Sequence, residues 1–348
     1  MSLPDWPRAW GEPPASAILR ATPADFFVEE QLGFELSGSG EHLWLWIEKE
    51  NLNTVDAAQR LARFAGLRER DISYAGLKDK NAVTRQWISL HLLNRAPDWA
   101  AWSDPALRIL RSERHDKKLR RGAHRANRFQ LELRAVCGDP VAFEQRLLQV
   151  GTEGVPNYFG EQRFGREGRN LELARRWIAQ GRPRLQRTQL GLNLSTLRAF
   201  LFNTVLARRV LENNWRTPLD GEVFALRGSA SVFRQPVDAV LQSRLDAGDV
   251  YLSGPLPGRT TEPQPLGAVA DLERDCLEEY ADLVDALAAS DVDAARRSLR
   301  VVPIDWHHEQ RDEDTWRLSF SLPKGCFATG VVRELVRLTS APAQAADR

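Results

Sequence analysis

The sequence has 348 residues, 43% hydrophobic and 27% charged, which suits two domains with ordinary cores. Its formal net charge of +1 gives no overall argument for binding a polyanion. The three cysteines are odd in number and lack CxxC spacing, which argues against a disulfide scaffold or a cysteine-built metal site and fits a reducing cytoplasm.

No targeting or membrane segment is expected. The amino terminus lacks the basic start and apolar run of a signal peptide. No stretch approaches the roughly 20 apolar residues needed to span a bilayer. We therefore expect a cytoplasmic protein with no membrane partner.

The first half of the chain is rich in predicted strands. Residues up to about 17 are rich in proline and glycine and predict an arm. Residues 55–65 have helical spacing, with Thr54 as the N-cap and Gly66 as the stop. Strands or short apolar runs are predicted at 24–30, 41–48, 72–77, 84–92 and 128–134. In the last of these, Phe129, Leu131 and Leu133 share one face.

Helices dominate the second half until a strand returns near the end. Helices are predicted at 140–150, 170–180, 195–213, 271–289, 291–299 and 327–338, with strand-like pieces at 223–233 and 251–258 and a strand at 316–322. A terminal strand and helix far from the other strands predict a discontinuous domain, 1–152 with 303–348, interrupted by an inserted domain at 153–302.

Charge is unevenly distributed along the chain. Residues 108–134 hold ten basic and three acidic residues, whereas residues 262–293 hold one basic and ten acidic residues. The basic segment is a candidate phosphate track, which predicts steep salt dependence of RNA binding. The alternative is a solvated charged face, because the chain is rich in arginine throughout.

The segment 73–84 places the carboxylate of Asp79 between Lys78 and Lys80. Neighbouring opposite charges favour the ionised form of a carboxyl group. A positioned carboxylate can act as a nucleophile or as a base. A polar surface turn is the alternative interpretation of the tripeptide.

A second dense segment, residues 154–170, mixes glycine, aromatic residues, arginine and asparagine. Aromatic rings can stack on unpaired bases while arginine meets phosphate, so this composition is typical of RNA contact. An inter-domain hinge is the alternative. No Lys-Ser or Lys-Thr follows the glycines, so the segment is not a phosphate loop.

Three runs together resemble the signature motifs of the TruD-type tRNA pseudouridine synthases. They are Ala-Gly-Leu-Lys-Asp-Lys-Asn-Ala-Val-Thr-Arg-Gln-Trp at 75–87, Val-Pro-Asn-Tyr-Phe-Gly-Glu-Gln-Arg-Phe-Gly at 155–165, and Leu-Pro-Lys-Gly-Cys-Phe-Ala-Thr at 322–329, followed by Val-Arg-Glu-Leu at 332–335. The resemblance extends from about residue 19 to 338. It implies an α+β fold with a mixed or antiparallel sheet in the pseudouridine synthase catalytic domain and an inserted, helix-rich α/β TRUD domain.

The resemblance also implies an intramolecular transferase that isomerises uridine to pseudouridine in tRNA, at uridine 13 of the D arm, with Asp79 as the catalytic carboxylate. No metal or other cofactor is implied, and the expected partner is tRNA. The oligomeric state is left open by the sequence, and a monomer is expected because no heptads or large apolar stripe are present.

By the same resemblance, the substrate-binding positions are Phe26, Asn127, Phe129, Phe327 and Arg20. The Asn127 amide can pair with the uracil edge, and Phe327 can stack on a base. Phe26 and Phe129 lie in strand patterns, so core packing is the alternative for both. Arg20 stands where members of the family often carry lysine, and a planar fork differs from a point charge.

Two other functions are compatible with the sequence. An RNA-binding or chaperone protein with a non-catalytic site is one, and a carboxylate-dependent hydrolase is another. Hydrolysis would need a second carboxylate, and nothing ties Glu29 or Glu30 to the site. If residues 72–80 are extended, Lys78 and Lys80 point away from Asp79, and Arg20 is a candidate to neutralise it. Four histidines have no role in these hypotheses and are expected at the surface or facing RNA: His115, His124, His307 and His308.

Overall fold

A computed structural model of the chain describes residues 3–92, 97–259 and 263–339. Residues 1–2, 93–96 and 340–348 of the predicted catalytic domain lie outside these ranges. Residues 260–262 of the predicted inserted domain, which include Glu262 of the acidic segment, lie outside them too. The described strands are β1 (Ala15–Leu19), β2 (Phe26–Gln31), β3 (His42–Glu50), β4 (Ile72–Tyr74), β5 (Val83–His91), β6 (Leu107–His115), β7 (Ala126–Gly138), β8 (Val155–Pro156), β9 (Val223–Leu226), β10 (Val232–Arg234), β11 (Val250–Leu256), β12 (Ala295–Ser298), β13 (Arg300–Val301), β14 (Ile304–Gln310), β15 (Trp316–Pro323) and β16 (Val336–Leu338).

The helices complete the secondary structure. They are α1 (Thr54–Phe64), α2 (Pro140–Glu153), α3 (Arg169–Ala179), α4 (Arg187–Leu211), α5 (Ala239–Asp246), α6 (Gly267–Leu277), α7 (Ala281–Ala288) and α8 (Ala328–Leu335). Short 3-10 helices occur at Pro23–Asp25, Glu69–Asp71, Trp99–Ala101, Glu161–Arg163, Arg166–Gly168 and Glu278–Tyr280.

The chain divides into two units. Unit 1 comprises Met1–Pro13, Leu148–Val302 and Cys326–Leu335, and unit 2 comprises Pro14–Leu147, Pro303–Gly325 and Val336–Arg348. Sheets and helices therefore occur in both units, and the prediction of an α+β fold with a mixed sheet is confirmed.

Unit 2 is built around a mixed sheet of ten strands within the described residues. Its main order is β14-β15-β7-β2-β5-β3-β6, while β1 pairs with β7 and β16, and β4 pairs with β5. The β2–β5 and β1–β16 pairs are parallel and the others are antiparallel. On β7, Phe129, Leu131 and Leu133 are all buried, as the alternating pattern predicts.

One predicted cap in unit 2 is wrong. Helix α1 begins at Thr54 with Asn53 in the N-cap position. The hydroxyl of Thr54 is buried and donates to Oε1 of Gln86 at 2.9 Å, while it accepts from the backbone N–H of Lys78 at 2.9 Å. Thr54 therefore ties the Asp79 segment to β5 instead of capping the helix.

Unit 1 contains a sheet of order β10-β9-β11-β12 and the β13–β8 pair. Among the described helices, α4 alone is long and apolar enough, by length and composition, to cross a membrane, with a mean hydropathy of 1.2 over an 18-residue window. The expectation that no stretch approaches that length was therefore too strong. Because 56% of the window is buried inside unit 1, packing in a core explains the same composition.

Three helix predictions are wrong in unit 1 and at its borders. Residues 291–299 contain the strand β12 because Ser298 pairs with Ser253 of β11, and tertiary pairing overrides helical spacing. The predicted helix 271–289 is divided by the 3-10 turn Glu278–Tyr280. The last helix ends at Leu335, and β16 follows because it finds a parallel partner in β1.

Candidate active site

Asp79 lies in the irregular loop that joins β4 to β5. Ala75 and Ala82 are buried near the two ends of this loop. The carboxylate is 24% exposed, and its Oδ2 accepts a hydrogen bond of 3.1 Å from Nη2 of Arg20. Because β4 ends at Tyr74, the carboxylate is presented from a loop rather than from an extended strand.

Arg20 is fixed in place by its backbone and by an aromatic ring. Its φ of 66° lies in the left-handed region, which is uncommon for a residue other than glycine. Its guanidinium carbon lies 3.9 Å from the ring centroid of Phe26, close enough for a cation–π interaction. The prediction that Arg20 neutralises Asp79 is consistent with this ion pair.

Phe26 and Phe129 form the apolar floor beneath Arg20. Phe26 is 1% exposed and Phe129 is 6% exposed. Their rings meet edge to face at 6.3 Å, and Phe129 stacks on Phe320 at 5.5 Å. Both side chains are packed as core residues, so a contact with a substrate base stays a prediction for each.

Lys49 is a component of the site that the sequence analysis missed. Its side chain is buried (0% exposed), and its ammonium group donates a hydrogen bond of 2.8 Å to the backbone carbonyl of Asp79. Burial lowers the pKa of Lys49 to about 8, an effect that Asp79 opposes and Lys78 reinforces. Lys49 therefore holds the main chain of Asp79 while Arg20 holds its carboxylate.

Lys78 joins three parts of unit 2 beside Asp79. Its side chain is buried and forms an ion pair of 2.9 Å with Oε2 of Glu30, whose carboxylate is fully buried. Its ammonium also donates to Oδ1 of Asn127 at 2.8 Å. The other Glu30 oxygen accepts from the backbone N–H of Trp87 at 3.3 Å. Lys78 is therefore buried and ion-paired inside unit 2, whereas Lys80 is exposed.

The hydrogen bond from Lys78 determines the orientation of the Asn127 amide. A lysine ammonium can only donate, so the amide oxygen of Asn127 must face Lys78. The NH₂ group is then left as a donor for another partner. Glu30 and Asn127 are cross-strand neighbours on β2 and β7, which explains how one lysine reaches both.

The basic segment 108–134 does not form one continuous line. It covers the edge strand β6, the following loop, and β7, and three strands separate β6 from β7 in the sheet. Several of its arginines are paired with carboxylates, as in Arg111–Glu113 at 2.9 Å and Arg134–Asp25 at 2.7 Å. The loop lies next to the Asp79 segment, because Gly122 N–H donates to the Ala75 carbonyl at 2.7 Å. This loop is the best-placed part of the predicted track.

Two histidines expected at the surface are buried. His115 packs edge to face on Trp44 at 5.0 Å, with its Nδ1 3.1 Å from the Ser37 hydroxyl. His124 lies beside the Asp79 loop, where a methyl group on Gly76 would lie 3.4 Å from its Cε1. Burial lowers the pKa of His124 to about 4, and the charges of Lys78 and Lys324 add to the effect.

We expect His124 to make unit 2 sensitive to acid. The folded-state pKa lies below the ordinary value of 6.5, so the stability that the neutral ring gives is present above pH 6.5 and is lost as the pH falls toward 4. Between pH 7.5 and 5 the loss should be about 2 kcal/mol in the free energy of urea unfolding. His124→Gln should remove this dependence, and the exposed His307→Gln should keep it. An unchanged pH dependence in His124→Gln would contradict the assignment.

Phe327 belongs to unit 1. It precedes α8, is half-buried, and its ring centroid lies 6.1 Å from that of Phe159. Its predicted stacking role stays a prediction. Across the described residues, no three His, Cys, Asp or Glu side chains converge as a metal site would require.

The geometry provides a partly exposed carboxylate that is bonded to the guanidinium of Arg20, on a main chain that is held by the ammonium of Lys49. It also provides the amide of Asn127, whose orientation is fixed by Lys78, the residue next to Asp79. Such a carboxylate is ready to attack an electrophilic carbon or to take a proton, because its side chain and main chain are already held in place.

Comparison with known proteins identifies the family of the chain. The sequence matches the family described as tRNA pseudouridine synthase D (TruD) over residues 8–186 and 180–335. It is 47% identical to tRNA pseudouridine synthase D of Ectopseudomonas mendocina over 339 residues, covering 96% of this chain and 95% of the relative. The corresponding Chromohalobacter salexigens protein is 47% identical over 340 residues, with 96% and 97% covered.

A solved structure shares the fold. It is the crystal structure of a protein from Methanosarcina mazei described as tRNA pseudouridine synthase D, with a TM-score of 0.67, 21% identity, and coverage of 97% of this chain and 95% of that one. Family profile and close relatives agree along almost the whole length, and the chain belongs to the tRNA pseudouridine synthase D (TruD) family.

Proposed function

We propose that this protein isomerises uridine to pseudouridine in tRNA, with Asp79 as the catalytic carboxylate. The observation that carries the proposal is the Asp79 carboxylate itself, partly exposed and bonded to Arg20, in a loop whose main chain is held by the buried Lys49. Membership of the TruD family supplies the reaction and the substrate class.

The reaction breaks the N1–C1′ glycosidic bond, turns the uracil, and rejoins C1′ to C5. The proton on C5 is lost and N1 gains one, so the product is an isomer and no net oxidation or reduction occurs. Asp79 can promote these reaction steps in either of two ways, by attacking C1′ or by taking a proton from the sugar. Carboxylates commonly act at glycosidic centres. Arg20 would hold the carboxylate in position as charge develops at the sugar.

The base must leave its stack to meet Asp79. Asn127 would then donate its NH₂ group to a uracil carbonyl, because Lys78 already occupies its oxygen. Phe327 would stack on the base. We assign Phe26 and Phe129 the supporting task of shaping the floor on which Arg20 rests.

The domain assignment and the target position follow from the family resemblance, and the location and oligomeric state follow from the composition and pattern of the sequence. Unit 2, which holds Asp79, would be the main body of the catalytic domain predicted at 1–152 and 303–348, and unit 1 the main body of the inserted TRUD domain predicted at 153–302. The target would be uridine 13 of the D arm. The protein would act as a cytoplasmic monomer without a cofactor, and its three cysteines are unpaired, as a reducing compartment favours.

The direct test is to incubate the purified protein with unmodified tRNA transcripts and to map pseudouridine by chemical probing. We expect one modified position, at uridine 13, and none in a transcript with cytidine at that position. Modification at another uridine would overturn the assigned position. No modification of any tRNA would favour the RNA-binding alternative.

The ion pair with Asp79 predicts that substitutions of Arg20 lower the activity according to whether the new side chain keeps a positive charge. Arg20→Met removes the charge but keeps much of the side-chain length, and we expect kcat to fall about 10²-fold because Asp79 loses its fixed geometry. KM should change little. Arg20→Lys should stay within about tenfold of the wild type, since a cation can still reach Oδ2. Equal activity of Arg20→Met and the wild type in single-turnover assays would refute the role.

A further inference from the structure

Unit 1 contains two half-buried arginines that share one aromatic ring. The guanidinium carbon of Arg297 lies 4.1 Å from the ring centroid of Phe159, and that of Arg163 lies 5.7 Å from the same centroid. The two cations therefore lie within about 10 Å of each other. Like charges at this separation repel in a partly desolvated site, so the arrangement needs a source of stabilisation.

The partners of these two arginines are neutral. Arg297 donates from Nε to the Asn157 carbonyl at 3.1 Å and from Nη2 to Oδ1 of Asn157 at 2.5 Å. Arg163 has a longer contact of 3.4 Å from Nη1 to the hydroxyl of Ser195. In the part of the chain that the structure describes, neither arginine forms an ion pair with a carboxylate.

Two other arginines of unit 1, Arg296 and Arg209, have a carboxylate partner, whereas Arg198 and Arg300 donate to backbone carbonyls. Arg296, next to Arg297 in the sequence, contacts both oxygens of Glu273, at 2.5 and 3.1 Å. Arg209 pairs with Glu222 at 2.9 Å. Burial of a cation is costly unless an anion compensates it, and these two have an internal one.

The cost is visible in the acid–base properties of the unpaired arginines. Burial lowers the pKa of both Arg163 and Arg297, and Arg163 adds to the effect on Arg297. Cys326 can oppose the shift at Arg297 only as a thiolate, and burial raises the pKa of this thiol. An external anion would relieve this cost, because it would supply the missing negative charge.

The surroundings suit one nucleotide of RNA. Phe159, Arg163, Arg297 and Phe327 are half-buried and each keeps some exposed surface, so a ligand can reach them. The rings of Phe159 and Phe327 lie 6.1 Å apart and offer apolar faces to a base or a sugar. Guanidinium groups match the geometry of phosphate oxygens, and single-stranded RNA presents phosphates and bases together.

We propose that Arg163 and Arg297, mounted on Phe159, form a phosphate-binding site in unit 1 that takes the backbone of the tRNA substrate. The inference rests on the proposed function for the identity of the ligand. It assigns Arg163 and Arg297 to binding of tRNA and gives them no part in the catalytic step at Asp79.

The test measures the affinity for an unmodified tRNA transcript by fluorescence anisotropy at several KCl concentrations. Arg297→Met and Arg163→Met should each weaken binding roughly tenfold at low salt and reduce the slope of log Kd against log salt by about 1, as expected for one lost phosphate contact. Arg244→Met is the matched control. Arg244 is also half-buried against a phenylalanine, Phe233 at 6.0 Å, but it is paired with Asp249 at 2.7 Å, so its loss should change neither quantity.

Folded Arg297→Met and Arg163→Met proteins that bind with the wild-type affinity and slope would overturn the proposal. If either variant fails to fold, phenylglyoxal labelling of the wild-type protein takes its place. Added tRNA should protect Arg163 and Arg297 but not Arg244, and equal labelling of all three would overturn the proposal. Binding is read separately from pseudouridine formation, so a protein that binds in this way without modifying tRNA would contradict the proposed function and leave the phosphate site standing.

Discussion

Asp79→Asn should abolish pseudouridine formation while the protein still folds and binds tRNA. The amide has nearly the shape of the carboxylate but is neither a nucleophile nor a base, so the chemical step loses its central group. Removal of a group of this kind costs at least about 10⁴-fold in rate in well-studied enzymes. The rate is measured under single-turnover conditions, with enzyme in excess over tRNA, so that binding does not limit it.

The matched control for this variant is Asp71→Asn in the same unit. Asp71 pairs with Arg68 at 3.1 Å, ahead of β4, and touches neither Arg20 nor Lys49 among the described residues. Its substitution should leave the rate of isomerisation near that of the wild type. A rate for Asp79→Asn within tenfold of the wild type would remove Asp79 from the mechanism.

Lys78→Met should destabilise unit 2 by about 3–5 kcal/mol, because it leaves the fully buried carboxylate of Glu30 without its counter-ion. It also releases the amide of Asn127, so the tRNA-modifying activity of any folded protein should fall through a higher KM. The free energy of unfolding is measured by urea denaturation. Lys80→Met, an exposed change in the same loop, should stay within about 0.5 kcal/mol of the wild type.

The double variant Lys78→Met with Glu30→Gln distinguishes a charge effect from a packing effect. Neutralising Glu30 removes the buried charge that Lys78→Met leaves behind, so the double variant should recover much of the lost stability. The orientation of Asn127 would remain unspecified, so its activity should stay low. If the two single changes simply added, the buried ion pair would not be the source of the effect.

Much of the sheet in unit 2 could be predicted from the sequence because its strands alternate or run apolar. The alternation of Phe129, Leu131 and Leu133 gave both the strand and its buried face. The segment 291–299 was predicted to be a helix because helical spacing alone carries no information about a partner strand. Arg296 lies there in a strand and pairs with Glu273, a contact between distant residues that no local pattern encodes.

The candidate site was predicted less completely. The sequence placed Asp79 and suggested Arg20, although 59 positions separate them, because the family resemblance supplied both. Lys49 was missed because a lysine at a strand end usually faces solvent. One signal could have identified it: Lys49 follows Leu45 and Ile47 at spacing two, and both are buried, so alternation puts its side chain on the core face.

We attribute the isomerisation of uridine in tRNA to the carboxylate of Asp79. The most direct measurement compares wild-type protein and Asp79→Asn on the same unmodified tRNA, mapping pseudouridine after complete binding has been verified by anisotropy. We predict stoichiometric pseudouridine at one position with the wild type and none with Asp79→Asn at equal tRNA occupancy. Pseudouridine formed by Asp79→Asn to the same extent and at a rate within tenfold of the wild type would contradict this assignment.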